Sequence, residues 1–273
     1  MKNKKSKILV LSDLKESTRN VLKSSVSLAK MVDGDIDFFH VIKPTDVVEK
    51  ESQLSAFRTI NEQHSATKKD IQNFVNPLSE AYGIDINYSY TFGNVKNEIR
   101  EHIANNKPDI IVLGKRTSKT FKVMGDSITQ FVLKEYDGVI MIASDNALEP
   151  NKNLSLGFFN DIDESFEFVE NLIKHTEAPV KSFKIRKKSD ALKEANISDD
   201  KKTIEFVFEK NDNTIMNLSN YLSKNNINLL CINRGKKKTA NKLSFMSSDI
   251  KEAINKLDVS LLLSGGQNFS IQQ

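Results

Sequence analysis

The residues of this chain best suited to chemistry stand where apolar runs end. Asp109-Ile110-Ile111-Val112-Leu113 closes on Gly114, crosses a basic, hydroxyl-bearing stretch, Lys115-Arg116-Thr117, and enters a second apolar-periodic segment through Gly125-Asp126-Ser127. An α/β domain builds a phosphate-sized pocket in this way at the carboxyl end of a strand, because a helix N-terminus offers unpaired backbone N–H groups and the positive end of its dipole. The competing reading of the same residues is a plain strand-to-helix connection, since one glycine at a strand end is a weak motif. Near the amino end, Ile8 to Leu11 closes on Ser12-Asp13. The Asp13 carboxylate is suited to contact a ribose, or to cap the following turn together with Ser17. The first arrangement recurs late in the chain, where Leu229-Leu230-Cys231-Ile232 leads into Asn233-Arg234-Gly235-Lys236 and then Met246-Ser247-Ser248.

Other chemistries find less support. His40 lies in an apolar run, while His64, His102 and His175 fall on separate expected helices. None has a second His, Cys or carboxylate at ligand spacing, so no metal site is expected. No serine stands in a Gly-x-Ser-x-Gly turn and no nucleophile, base and acid are grouped, so no catalytic residues are assigned. Ser264-Gly265-Gly266 resembles the Ser-Gly-Gly pyrophosphatase loop of related α/β folds, but too little chain follows it to form a helix, and it reads as a tail. The basic runs Lys184-Ile185-Arg186-Lys187-Lys188 and Gly235-Lys236-Lys237-Lys238 read as solvated faces. Nucleic acid is not the expected partner, because no aromatic residues interleave with the second run for base stacking.

These residues need strands and helices to hold them. Ile8 to Leu11 reads as a strand, and residues 17–33, with Val21, Leu22, Ser25, Ala29 and Val32 at three-to-four spacing, as a helix stopped by Gly34. Ile36 to Ile42 is a second strand, and Glu51 to Tyr82 a long polar helix ended by Gly83. Ile84 to Phe92 is a third strand, and Gly93-Asn94 opens a helix from Val95 to Asn106. The Asp109 to Leu113 strand, a helix from Ser127 to Tyr136 and a strand from Val139 to Ala143 complete the alternation. Such alternation predicts a parallel sheet with helices on both faces. After Pro150 the pattern restarts: Asp161 falls on Asp13 and Ser165 on Ser17 at an offset of 148, while Asn233 falls on Gly114 at 119. About 29 residues are therefore missing from the second copy. The gap lies between the strands Val180 to Lys187 and Thr203 to Glu209, so the long second helix is lost there or reduced to a turn or two. The expected fold is α/β, two doubly wound, mainly parallel five-stranded sheet domains over residues 1–147 and 151–273, the second reduced.

Length and composition set the class. With 38% hydrophobic and 28% charged residues the chain reads as a soluble globular protein, and two domains of this size can each bury a core. No apolar run approaches the roughly 20 residues that span a bilayer, so no membrane association is expected. The basic start, Met1 to Lys7, precedes too short an apolar run for an export signal, and the one cysteine, Cys231, reads as a buried hydrophobe; both fit a cytoplasmic location. A net charge of +4 is too small to argue for nucleic acid.

Taken together, Lys7-Ile8-Leu9-Val10 with Asp13, Phe39-His40-Val41, Phe92-Gly93-Asn94, Asp109 to Gly114 and Ser127 resemble the universal stress protein family in its tandem two-domain form. Asp161, Leu229 to Ile232 and Ser247 carry the resemblance more faintly into the second half. The resemblance implies a Rossmann-like fold of the adenine nucleotide alpha hydrolase kind, with two domains paired through their last strands, Val139 to Ala143 and Ser260 to Leu263. In nucleotide-binding members a Gly-x2-Gly-x9-Gly-Ser/Thr loop wraps the phosphates, an Asp after the first strand lies by base and ribose, and a Val after the second flanks adenine. The implied site here is Asp13, Val41, Gly114, Thr117, Gly125 and Ser127, with ATP or AMP as its ligand; no cofactor is required. Thr117 replaces the second glycine, the loop is one residue short, and the third glycine is either Asp126, counting back from Ser127, or a displaced Gly125. Thr117 narrows the loop's backbone freedom and Asp126 repels a phosphate, which Lys115 and Arg116 would partly offset. In the second half Asn233, Lys236 and Met246 stand at all three glycine positions. The resemblance thus implies a non-catalytic, cytoplasmic stress-response regulator with weak or no nucleotide binding. Its partners would be itself, by intramolecular domain pairing or as a homodimer, and an unidentified protein. Two other readings stay open: an ATP-binding switch or slow ATP hydrolase using the first domain, and a scaffold binding an acidic partner through the basic second domain.

Overall fold

The unbroken aliphatic runs become the central strands of one ten-stranded sheet in the computed structural model. The structure describes residues 5–43, 53–115, 127–150, 152, 154–159, 169–176, 179–186, 203–209, 211, 213–234 and 247–264. The first half runs β1 (Ser6–Ser12), α1 (Thr18–Val32), β2 (Gly34–Ile42), α2 (Gln53–Tyr82), β3 (Ile86–Phe92), α3 (Val95–Asn106), β4 (Ile110–Gly114), α4 (Ser127–Glu135) and β5 (Val139–Ala143). The second runs β6 (Leu156–Phe159), α5 (Val169–Lys174), β7 (Val180–Arg186), β8 (Thr203–Glu209), α6 (Thr214–Lys224), β9 (Leu229–Ile232), α7 (Ser247–Lys256) and β10 (Ser260–Leu263).

The strand order is β3-β2-β1-β4-β5-β10-β9-β6-β7-β8, so the second half repeats the order of the first in reverse. Every neighbouring pair is parallel except β5 with β10, which run antiparallel with Leu261 opposite Ile142, Leu262 opposite Met141 and Leu263 opposite Ile140. Strands buried on both faces have no reason to alternate in polarity. β4 and β5 accordingly read Ile-Ile-Val-Leu-Gly and Val-Ile-Met-Ile-Ala. One face packs Ile8, Val10, Ile110, Val112 and Met141 with α1 and α2, and takes in Leu172 of α5. The other packs Leu9, Leu11, Ile111 and Ile140 with α3 and α4, and continues under α6 and α7. Strand direction therefore reverses at the β5–β10 seam while equivalent helices keep their face, which is a two-fold axis normal to the sheet.

Three local expectations change. α1 is stopped by Asp33, which adopts the left-handed conformation at φ 51° and donates its N–H to Ala29 O, not by Gly34. Gly34 instead opens β2, where a Cβ would stand 2.7 Å from Ile8 Cδ1. Ile84 lies ahead of β3, and His175 just past α5. Gly83, with φ +60°, does end α2 as expected. Residues 187–202, where the second copy's long helix is expected to be missing, lie outside the described residues. On the flanking strands, Lys184 of β7 and Glu205 of β8 form a 2.8 Å ion pair. By alternation that pair lies on the sheet face opposite Phe183, Phe206 and Phe208, the face that α2 covers in the first half. Among the described residues, no helix is long and apolar enough to cross a membrane.

Candidate functional site

In a doubly wound sheet the carboxyl ends of the strands open a crevice where the winding changes direction. Here that point lies between β1 and β4, since the chain builds outward from β1 to β2 and β3 and then returns to β4 on the other side. A cavity of about 670 Å3 occupies it. Its walls are the end of β1 and the turn after it (Leu11, Ser12, Asp13, Lys15), the end of β2 (Phe39 to Val41, with Lys43), the start of α3 (Gly93 to Lys96), Gly114 of β4, and Ser127 and Ile128 of α4. Of the six residues expected from the sequence, Asp13, Val41, Gly114 and Ser127 meet around this one cavity. Thr117 and Gly125, and Asp126 with them, lie outside the described residues.

Local chemistry positions the wall. The Asp13 carboxylate accepts from Lys15 N–H at 3.2 Å, while Ser12 Oγ accepts from Leu14 N–H at 3.1 Å and pairs with Thr18 Oγ1 at 2.9 Å. Asp13 therefore does organise the turn. Ser17 does not share that task, because it stands at the N-cap of α1 without a side-chain capping bond. Leu14, at φ 58°, carries the tight bend. His40 Nδ1 lies 2.9 Å from Ser12 O, tying the ends of β1 and β2 together. Asn94 caps α3 by accepting from Asn97 N–H at 3.3 Å, which brings the first turn of α3 to the rim. Gly114 serves packing: a Cβ there would stand 2.7 Å from Val21 Cγ2 on α1.

Charge at the rim is predominantly positive. Lys15, Lys43 and Lys96 line the cavity with Asp13 as the carboxylate among its walls. Lys15 Nζ lies 3.9 Å from Asp13 Oδ2. Lys96 also stands over the Phe131 ring of α4, 6.0 Å from its centre, so it spans the mouth between α3 and α4. A cavity of this size lies within the range of small-molecule sites, and a cationic rim with helix starts beneath it suits an anionic, phosphate-bearing ligand. Lys43, Lys96 and Asn94 were not among the residues expected to form the site. The two lysines had no signal beyond standing one or two residues past a strand end or helix cap, and Asn94 was read only as the opening of a helix.

Lys115 corrects an expectation. Rather than face the phosphates, its ammonium crosses to the second half, donating to Leu257 O at 2.8 Å and lying 3.3 Å from Asp258 Oδ1. His102 of α3 finds a carboxylate partner distant in the chain, Asp37 of β2, at 2.8 Å, and its ring stacks on Phe39 at 4.0 Å. Among the described residues, no group of three or more His, Cys, Asp or Glu is placed to hold a metal ion. In the second half, Asn233 stands at the Gly114 position, and its side-chain oxygen accepts from Ser264 Oγ at 3.0 Å. Asp161, Ser165, Lys236, Met246 and Gly265-Gly266 lie outside the described residues, as do Lys187-Lys188 and Gly235 to Lys238 of the two basic runs.

Comparison with known proteins agrees with this architecture. The model of the universal stress protein family matches residues 5–143. A universal stress protein from Archaeoglobus fulgidus is similar in structure at 16% sequence identity, covering 95% of this chain and 98% of that one with a TM-score of 0.69. A putative universal stress protein from Pseudomonas aeruginosa is similar at 12% identity, over 94% of this chain and 92% of that one, with a TM-score of 0.58. At these identities the likeness is one of fold. None of the curated proteins compared with the chain matches it.

Proposed function

Because the chain belongs to the universal stress protein family, we propose that it is a cytoplasmic, non-catalytic regulator whose first half, 1–147, takes an adenine nucleotide weakly and whose second half, 151–273, is a degenerate domain of the same kind that takes none. The observation that carries this reading is the convergence of Asp13, Val41, Gly114 and Ser127, together with a lysine rim, on one cavity at the β1–β4 crevice. ATP or AMP fits that cavity in volume and charge. Val41 would flank the base, Asp13 the ribose, and the start of α4 with Lys96 the phosphates. Weakness follows from Thr117 and Asp126, which put a restricted backbone and a carboxylate where a phosphate loop needs glycine. In the second half the Asn233–Ser264 hydrogen bond occupies the strand end that Gly114 leaves open.

Titration calorimetry of the full chain with ATP tests the reading. The expected result is a single site per chain with a Kd of about 10 μM or weaker, equivalent to roughly −7 kcal/mol, lost when Val41→Trp fills the base end. Two sites per chain, or no binding at millimolar ATP, would overturn it. A Kd below about 0.1 μM would show instead that the loop is not eroded, and would favour a nucleotide switch.

A further inference from the structure

Lys115 is the residue at which the chain leaves β4 for α4, directly beside Gly114 in the cavity wall. Its N–H donates to Ala143 O at 2.8 Å. Its side chain is only 9% exposed, with the ammonium held by Leu257 O and by Asp258, whose own side chain is 89% exposed. Leu257 and Asp258 form the corner between α7 and β10. The mirror contact exists across the two-fold axis. Arg234 leaves β9, and its guanidinium donates to Tyr136 O at 3.2 Å and to Gly138 O, at the corner between α4 and β5, as well as to Ser264 O at 2.6 Å. The cation following the fourth strand of each half is thus fixed to the last helix–strand corner of the other.

The two anchors are alike in form and unlike in what they hold. Lys115 holds one end of the connection whose far end, Ser127 and Ile128, also lines the ligand cavity. Arg234 holds a connection that begins at Asn233, whose side chain is bonded to Ser264. We infer that Lys115 is a positioning residue: through Leu257 and Asp258 the second half fixes the end of β4, where Gly114 lines the cavity, so that ligand binding in the first half depends on the second. This rests on the nucleotide reading of the crevice. A buried ammonium keeps its place only while its acceptors are met, so loss of the anchor frees the backbone at 115 and leaves the Leu257 carbonyl without this donor. The second half then acts as a fixed support for a site it no longer contains itself.

The test compares Lys115→Met, Lys115→Arg and Arg234→Met in the full chain, reading ATP affinity by calorimetry, amide hydrogen exchange at position 115 and in the first hydrogen-bonded turn of α4, and Tm. Lys115→Met is expected to weaken ATP binding by about fivefold or more and to speed exchange at those amides. Lys115→Arg restores both, since Arg234 shows that an arginine can make the equivalent reach. Arg234→Met lowers Tm as an interface loss should, while leaving ATP affinity and those amides as in the wild type. Equal effects of Lys115→Met and Arg234→Met on affinity and exchange, or no effect of Lys115→Met on either, overturn the inference. If the wild type binds no ATP, the nucleotide reading falls by itself, and the exchange comparison alone decides whether Lys115 fixes the end of β4.

Discussion

At Gly114 the side chain is excluded by packing before any ligand is considered, since a Cβ would press on Val21. Packing alone thus accounts for a glycine at this strand end, whatever residues follow it in the loop. The test of erosion belongs to those residues. If the proposed nucleotide reading holds, replacing Thr117 and Asp126 together by glycine should raise ATP affinity tenfold or more, about 1.4 kcal/mol, because one change widens the backbone choice at a glycine position of the loop pattern and the other removes a carboxylate from another. Calorimetry of the double variant checks this, and an unchanged or weaker affinity would mean that these two residues are not what limits binding. Asp13 was singled out in the sequence by the apolar run it follows, Val41 only by the family resemblance, and the structure places both at the cavity wall. Lys43 and Lys96 were not singled out, because their meeting depends on strand order and on the angle of α3. The Asp37–His102 pair was missed for the same reason, its partners lying on β2 and α3, far apart in the chain.

Elements whose two faces are both buried were the most legible, because a run of four or five aliphatic residues between polar turns has few other folds open to it. Val139–Ala143 and Ser260–Leu263, buried along their whole length, fall where the sequence places them. The end of α1 was misread, because a left-handed Asp33 does the work assigned to Gly34. The corner between α4 and β5 was placed by the sequence, but its contacts were not legible. There Tyr136 donates its hydroxyl hydrogen to Pro108 O at 2.7 Å, and burial, with the charge of Asp109 adding, pushes its pKa well above the ordinary tyrosine value; Arg234 acts the other way. A folded-state pKa raised above the unfolded one means that the unfolded chain loses the proton first. The stability from this group is therefore full below about pH 10 and is lost as pH rises beyond it. Tyr136→Phe should cost about 1 kcal/mol at neutral pH and flatten the fall in stability above about pH 10. Urea unfolding of both proteins between about pH 8 and 11 measures this, and parallel curves would refute it. Cys231, whose buried thiol is also pushed up, destabilises with the same sign at alkaline pH in both proteins and cancels in the comparison.

For the whole molecule, the repeat and the pairing of the last strands were expected from the offsets and the family resemblance. What holds the halves in register was not, since nothing in Lys115 or Arg234 alone distinguishes a phosphate contact from a cross-molecule anchor. The seam makes a prediction about separating the halves. Ile140, Met141 and Ile142 are no more than 1% exposed, lying between β4 and β10. Removing the second half would turn β5 into an open edge with a row of unpaired N–H and C=O groups flanked by aliphatic side chains, the condition that drives strand-to-strand association. The lost partner was antiparallel and related by a two-fold axis, so a second copy of β5 can take its place by the same geometry, an isologous pairing that closes on itself. A fragment of residues 1–147 should therefore run as a dimer, or aggregate where the match between two β5 strands is poorer than that between β5 and β10. Light scattering measures the mass directly. A stable, well-behaved monomer would show that the β5 edge needs no cover, and that the seam joins two halves that could have stood apart.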